Sequence, residues 1–526
     1  MRRNNQIKLL ATVQPIQPIA SGPGQFPTLS HLAMPIRDIP PEVLGLILGQ
    51  LLEDDDEELP IALAHLRNAR LVCRQWDRLA AAHLFRTVVL DLAPEDGIAR
   101  PWGPMLNNPT IQRVARDLVI CSPTDEQEYE INEIGHVEDG AAEDDDDGTL
   151  GSSPFSVAVN AGVAKLPNLK ALHIRFSEQC IGDRETDGWE EDEDTESIAH
   201  RLQTLKTVFG AMLKRHAAVS EDNPPSTIRS LTLKNLQNVA FPPEFTSSDL
   251  YKDVMNHITE LHLRIAHEYN QYGPDHDLDR IERQTYEPYL QKELLPPLAH
   301  QLRSLTLSFG ECWGVTPAHF DGKGLVFPHL RTLTLGEFVI GHHDQFDWVL
   351  AQKSLETLRL DRCFIASYLR VRDDQWDEWR PHIPTHDWHL YPEGSFGFEG
   401  ARIFGFSGTW EAVYDRIRQE LPNLREFCSA HDPYRNSFDR RESMGASLSM
   451  LRYIVFDSGL CPSPWIEASE YDGEMEFGNN NPAVCARDVR GARRYGKQQS
   501  LNRAKETKLG DARAFGDLLR AVWERQ

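Results

Sequence analysis

Residues 382–389 read HIPTHDWH, and His382, His386, Asp387 and His389 are of the types that hold zinc through imidazole nitrogens and a carboxylate oxygen. His382 and His386 are four apart, a spacing that would place both on one helical face. Pro384 lies between them and disfavours the helix that this geometry needs. We therefore assign no metal here and read a loop of surface or core histidines. Elsewhere there is no phosphate-cradling glycine loop, nucleophile elbow or HExxH zinc helix. Carboxylates are so numerous that no acid–base pair stands out. The segment DSGLCPS (457–463) offers serines for phosphorylation but follows the strand-like YIVF and has Pro462 where a second serine would be wanted, so it reads as a turn. No catalytic residue and no cofactor is expected, and the chain does not read as an enzyme.

The elements around these residues carry more information. The chain has 526 residues, 40% hydrophobic and 26% charged, which suits a globular protein of more than one domain or one extended array. Its formal net charge of −25 argues against general binding to nucleic acid or to anionic membrane, both of which need clustered Lys and Arg. No apolar run reaches the roughly 18–20 residues of a membrane span. Eight widely spaced cysteines with no CxxC pair point to reduced thiols and a cytosolic or nuclear setting. Residues 1–33, with several Pro and Gly, read as a disordered N-terminal segment; Met34 is an alternative start.

Two strongly apolar stretches follow, split by the acidic EDDDEELP (53–60). In DIPPEVLGLILGQLL, Asp38 suits an N-cap and prolines suit a first turn, while Val43, Leu44, Ile47, Leu48 and Leu51 recur at helical spacing. Gly45 and Gly49 weaken that helix by about 1 kcal/mol each relative to Ala. The second stretch predicts a helix carrying Leu63, Leu66, Leu71, Val72, Cys73, Trp76 and Leu79, with Arg67, Arg70, Arg74 and Arg78 on its wetter side, and LAAAHLF as a third short helix. So small a bundle buries little surface and suggests a partner.

These residues resemble the F-box, whose pattern runs roughly L-P-x-E-[IL]-L, I, L-x-x-V-C-[RK]-x-[WF]. Ile39 replaces the opening leucine, and the acidic link is longer than usual, as in F-box proteins of filamentous fungi. The resemblance implies docking on a Skp-family adaptor and, through it, a cullin scaffold. It assigns Pro40, Glu42, Val43, Leu44, Ile47, Leu71, Val72, Cys73 and Trp76 to that docking or to the small fold behind it, without separating the two roles. Lengthening the link costs little, about 0.6 kcal/mol per doubling.

Downstream a phrase recurs: LPNLKALHI (166–174), IRSLTL (228–233), ITELHL (258–263), LRSLTL (302–307), LRTLTL (330–335) and LETLRL (355–360), with weaker echoes at LPNLREF (421–427) and LRYIVF (451–456). The form L-x-x-L-x-L resembles the leucine-rich repeat, in which stacked parallel strands bury the faces that none can bury alone. Spacing is irregular and the usual Asn after the strand is mostly missing, although Cys363 stands at its place. The reading is thus α+β or α/β: an N-terminal helical F-box bundle (34–86), an irregular leucine-rich-repeat-like solenoid (87–465), and a C-terminal tail (466–526) with a basic segment and a capping helix carrying Phe515, Leu518, Leu519 and Val522. Residues 198–218 predict a connecting helix, and the acidic tracts 124–148 and 182–197 predict solvated loops. The residues at the x positions of the strands, including His262, Arg264, Arg359 and Asp361, are candidates for a target face, and the target itself is unknown. The function expected is a non-catalytic substrate adaptor of a Skp–cullin–F-box ubiquitin ligase; the rival is an interaction scaffold that directs no ubiquitination.

Overall fold

The computed structural model describes residues 40–50, 59–92, 102–124, 153–181, 195–217, 225–267, 280–393, 395, 400–430, 438, 444–449, 452–457 and 503–526. The chain divides into two units after Ala80. The first holds α1 (Pro41–Gln50), α2 (Leu59–Ala69) and most of α3 (Arg74–Leu84). The sequence places the helix break after Leu79; it falls instead at Arg70–Cys73, and LAAAHL continues α3.

The second unit is mixed α/β, built on a large, mostly parallel sheet. Its first strands are β1 (Thr87–Leu90), β2 (Asp117–Cys121) and β3 (Ala171–Arg175); β4 (Cys180–Ile181) and β5 (Glu196–Ser197) form a separate small pair. The sheet continues through β6 (Ser230–Gln237), β7 (Glu260–Ala266), β8 (Ser304–Trp313) and β9 (Thr332–Ile340) in the order β1-β2-β3-β6-β7-β8-β9, every pairing parallel. At β9 it forks. Thr332–Gly336 pair with β10 (Thr357–Asp361), whereas Val339–Ile340 pair with β11 (Phe364–Arg372). β12 (His389–Leu390) pairs antiparallel with β13 (Ala401–Gly405), and β13 antiparallel with β11; β14 (Glu426–Ala430) then joins β10 and β15 (Tyr453–Asp457) joins β11, both parallel.

The period of two along each strand sends alternate side chains to one face. In register, Leu118, Leu172, Leu231, Leu261, Leu305, Leu333 and Leu358 make one column, and Ile120, Ile174, Leu233, Leu263, Leu307, Leu335 and Leu360 the next, all buried. Each such side chain contributes about 1.5–3 kcal/mol on burial. They share one core with α4 (Pro154–Lys165), α5 (Ile198–Ala217), α6 (Asp249–His257) and α7 (Ile281–Tyr289) through Val159, Val208, Phe209, Val254 and Tyr286. Side-chain caps from Ser153 and Ser248 start α4 and α6. Arg215 is buried on α5 and donates to the carbonyls of Val163, Leu166, Pro167 and Ser226, satisfying groups that the end of α4 leaves open.

Left-handed residues kink the backbone after the leucine pairs of three strands. Asn235, Glu337 and Arg362, each two residues beyond the second leucine of its strand, have φ of 61°, 61° and 47°. That region suits Asn and is costly for Glu and Arg. Asn235 Nδ2 donates to Phe176 O at 3.0 Å, and Glu337 Oε1 meets Arg362 Nη2 at 2.6 Å, so two kinked residues of neighbouring strands hold each other. Cys363, at the expected asparagine position, reaches Leu335 O at 3.3 Å. Burial pushes the Cys312 and Cys363 thiols well above their ordinary range, so both are packed rather than reactive.

One expectation needs correction. The acidic tract 182–197 is not a solvated loop to its end, because Glu196 is fully buried on β5, 3.0 Å from Arg201 Nε; residues 182–194 and 125–150 lie outside the described residues, as do 458–502. In the C-terminal helix α9 (Lys508–Glu524), Ala514, Phe515, Leu518 and Val522 belong to the main core and Leu519 packs against it. The helix's anchor is Asp511, wholly buried, which accepts from Arg452 Nε (2.8 Å), Thr507 Oγ1 (2.7 Å), Tyr453 Oη (3.0 Å) and the Glu411 N–H (2.8 Å). Arg452, equally buried, spends its other N–H groups on Ser449 O and Ala504 O. One carboxylate thus ties α9 to β15 and to the start of α8 (Trp410–Glu420). Asp511→Ala leaves Arg452 buried without its counter-ion and is expected to cost about 3–5 kcal/mol in a urea titration followed by tryptophan fluorescence. Adding Arg452→Met should restore part of that loss, and a single-variant loss below about 1 kcal/mol would show that the pair does not anchor the helix.

Candidate protein-docking surfaces

In α1, Leu44 and Leu48 are four apart and almost completely buried, and they form its inner stripe. Val43 and Ile47, also four apart, are 46% and 49% exposed, and Leu46 beside them is 72% exposed. A helix with an apolar inner stripe normally presents polar residues outside; this one is apolar on both. A Cβ at Gly45 would meet nothing within 4 Å, so packing does not demand glycine there.

The second exposed group sits where α2 ends. Leu66 and Ala69 are buried, and the chain then tightens, with Leu71 N–H donating to Asn68 O and Val72 N–H to Ala69 O. That turn lifts Leu71 and Val72 to 85% and 59% exposure. Arg70 Nε meets Asp77 Oδ1 at 2.8 Å, and Asp77 N–H donates to Cys73 O, so the turn is tied into the first turn of α3. Both ion-pair partners are substantially exposed, and the pair adds little stability.

Of the nine residues singled out from sequence, Pro40, Glu42, Val43, Ile47, Leu71, Val72 and Cys73 are exposed, Trp76 is half-buried and Leu44 is core. Sequence reasoning passed over Leu46. Its signal was present: the run LGLIL is apolar over too wide an arc for one buried stripe. Five of the twelve large exposed hydrophobics among the described residues lie between Val43 and Val72.

The sheet offers a second, polar surface on the face opposite the leucine columns. There Arg175, Lys234 and Arg264 stand side by side on β3, β6 and β7, strictly in register. Adjacent strands are about 4.8 Å apart, so three cations stand in a short row inside a strongly acidic chain. His173, Thr232 and His262 form the neighbouring row. Of the four strand residues proposed from sequence, Arg264 is half-buried in the basic row, His262 Nδ1 lies 2.8 Å from Thr306 Oγ1, Arg359 pairs with Glu426 at 2.7 Å, and Asp361 is buried. Among the described residues no helix is long and apolar enough to cross a membrane.

A family model described as F-box-like matches residues 36–91, the stretch that contains both exposed apolar groups. No curated protein matches the chain. The division between core and surface is directly testable. Leu44→Ala should cost about 2–5 kcal/mol by emptying a buried position, read as lost amide protection across α1 in hydrogen exchange. Ile47→Ala should leave that protection nearly unchanged. Equal loss in both variants would mean that Ile47 is packed.

Proposed function

We propose that the chain is a substrate receptor of a Skp–cullin–F-box type ubiquitin ligase. The observation that carries this reading is the coincidence of the F-box-like match with an unusual density of exposed leucine, isoleucine and valine on α1 and on the α2–α3 turn. On this reading Val43, Ile47, Leu71 and Val72, with Leu46 added, touch the Skp adaptor, while Leu44 supports them from behind; Pro40, Glu42, Cys73 and Trp76 lie at the rim. The mechanism is proximity: the adaptor and cullin hold the ubiquitin-transfer machinery near a bound target, raising effective concentration while the receptor itself forms and breaks no bond. Such a complex works in the cytoplasm, the nucleus or both.

The in-register leucine columns support reading residues 87–465 as an irregular leucine-rich-repeat-like array, and its polar strand face is where a target would lie. The Arg175–Lys234–Arg264 row favours a target segment that carries acidic side chains. The scaffold alternative uses the same two surfaces without a cullin, and isolation of the protein with the adaptor but without cullin would favour it. The acidic link between α1 and α2 fits the fungal F-box resemblance.

Interface anchors often cost 2 kcal/mol or more on truncation. Leu46→Ala combined with Ile47→Ala should therefore weaken adaptor binding at least about a hundredfold, each tenfold being 1.4 kcal/mol. Arg78→Ala, on the exposed face of α3, should change it less than about twofold, and target proteins should still co-purify with the double variant. Undiminished adaptor affinity in the folded double variant would overturn the docking role of α1.

A further inference from the structure

The sequence motif HIPTHDWH is split by the fold, and the half that remains finds new company. His386 and Asp387 lie just before β12, and the chain brings them against His342 and Asp344, which directly follow β9. His382 and His389 stay exposed and outside this group. His342 Nδ1 is 2.5 Å from Asp387 Oδ1; His386 Nε2 is 3.6 Å from Asp344 Oδ1 and 4.0 Å from Asp387 Oδ1. The donor atoms of His342, His386 and Asp387 lie within 4.8 Å of one another; a tetrahedral zinc ion with bonds of 2.0–2.1 Å places its donors about 3.3 Å apart, so an ion would replace the His342–Asp387 hydrogen bond and draw His386 inward by side-chain rotation.

We propose that His342, His386 and Asp387, with Asp344 beside His386 as a fourth ligand within reach, form a binding site for a zinc-class divalent cation. The donor set of two imidazoles and two carboxylates matches zinc and its neighbours better than calcium or magnesium, which prefer an all-oxygen shell. The inner half is held in place before any ion arrives. His342 is 1% exposed and its ring stacks on Trp388 at 4.8 Å, while Trp388 Nε1 donates to Gly341 O. Asp387 Oδ2 accepts the His343 N–H at 2.8 Å, which fixes the carboxylate in the way outer partners orient metal ligands. The outer half, His386 and Asp344, is exposed, so it can close onto an ion by side-chain rotation alone. The charge argues the same way. Two carboxylates flank two imidazoles at one mouth, and a divalent cation neutralises the pair while it fills the lone pairs of both rings. Once bound, the ion would clamp the loop before β12 to the end of β9, joining the antiparallel flap of β11, β12 and β13 to the parallel sheet at the fork.

The test uses the full-length chain and zinc alone, titrated calorimetrically after chelator treatment, with bound metal counted by elemental analysis and cobalt(II) absorption as a spectroscopic readout of nitrogen and oxygen coordination. His386→Ala and Asp344→Asn alter exposed side chains, so folding should survive in both. The expected result is one tight equivalent in the wild type whose affinity drops at least about tenfold in each variant, with His382→Ala unchanged. Zinc should also raise the melting temperature of the wild type and of His382→Ala more than that of the two ligand variants. The proposal is overturned if the wild type binds no zinc, or if its stoichiometry and affinity persist in both His386→Ala and Asp344→Asn.

Discussion

A parallel strand can follow another only if the chain first travels back to the starting end, and this return governs the second unit. From β1 to β9 every link in the main sheet makes that journey. Parallel crossovers take a consistent hand, so successive returns fall on one face of the sheet. That face is where the paired leucines point and where α4 to α7 pack. The requirement fixes where the chain re-enters and says little about how far it wanders, because closure entropy grows only with the logarithm of length. Irregular spacing between the repeated phrases and a regular register between the strands are therefore compatible.

That distinction explains what could be read from sequence. Each of the six L-x-x-L-x-L phrases, and both weaker echoes, ends in a strand, since alternation is a local property of consecutive residues. The strands β1 and β2 were not anticipated: TVVL and DLVIC are apolar without the preceding leucine that announces the others. The flap was invisible because β12 and β13 are short, and nothing in ARIFG says that it will run antiparallel to β11. The exit kinks were also illegible, because Glu337 and Arg362 are held left-handed by a contact across strands and not by their own preference. The same holds for Asp511, whose partner lies 59 residues away.

The N-terminal helices show the opposite case, in which pattern was plain and role was not. Periodicity marks apolar positions at helical spacing, yet it does not tell which of two apolar stripes faces inward. Leu44 and Ile47 look alike in sequence; one is core and the other half exposed. Leu71 and Val72 were read as helix interior because an apolar run continues through them, whereas they occupy an exposed turn. An apolar residue on a turn has no use for the fold that carries it, and such departures from local rules are where function is best sought.

The fork at β9 has a consequence for how such a chain could lengthen over evolutionary time. A parallel sheet can gain a strand-and-return unit where the two edges it joins match, as the edges do from β1 to β9. Beyond that strand the edge divides: one half accepts β10 and the other β11, and the flap then turns the second branch antiparallel. A copied unit inserted after β9 would find no single edge to join, while one inserted among β2 to β8 would find the same leucine pair on both sides. By edge matching alone, a strand-and-return unit added among β2 to β8 would keep the parallel register, whereas the forked end could change only as one piece.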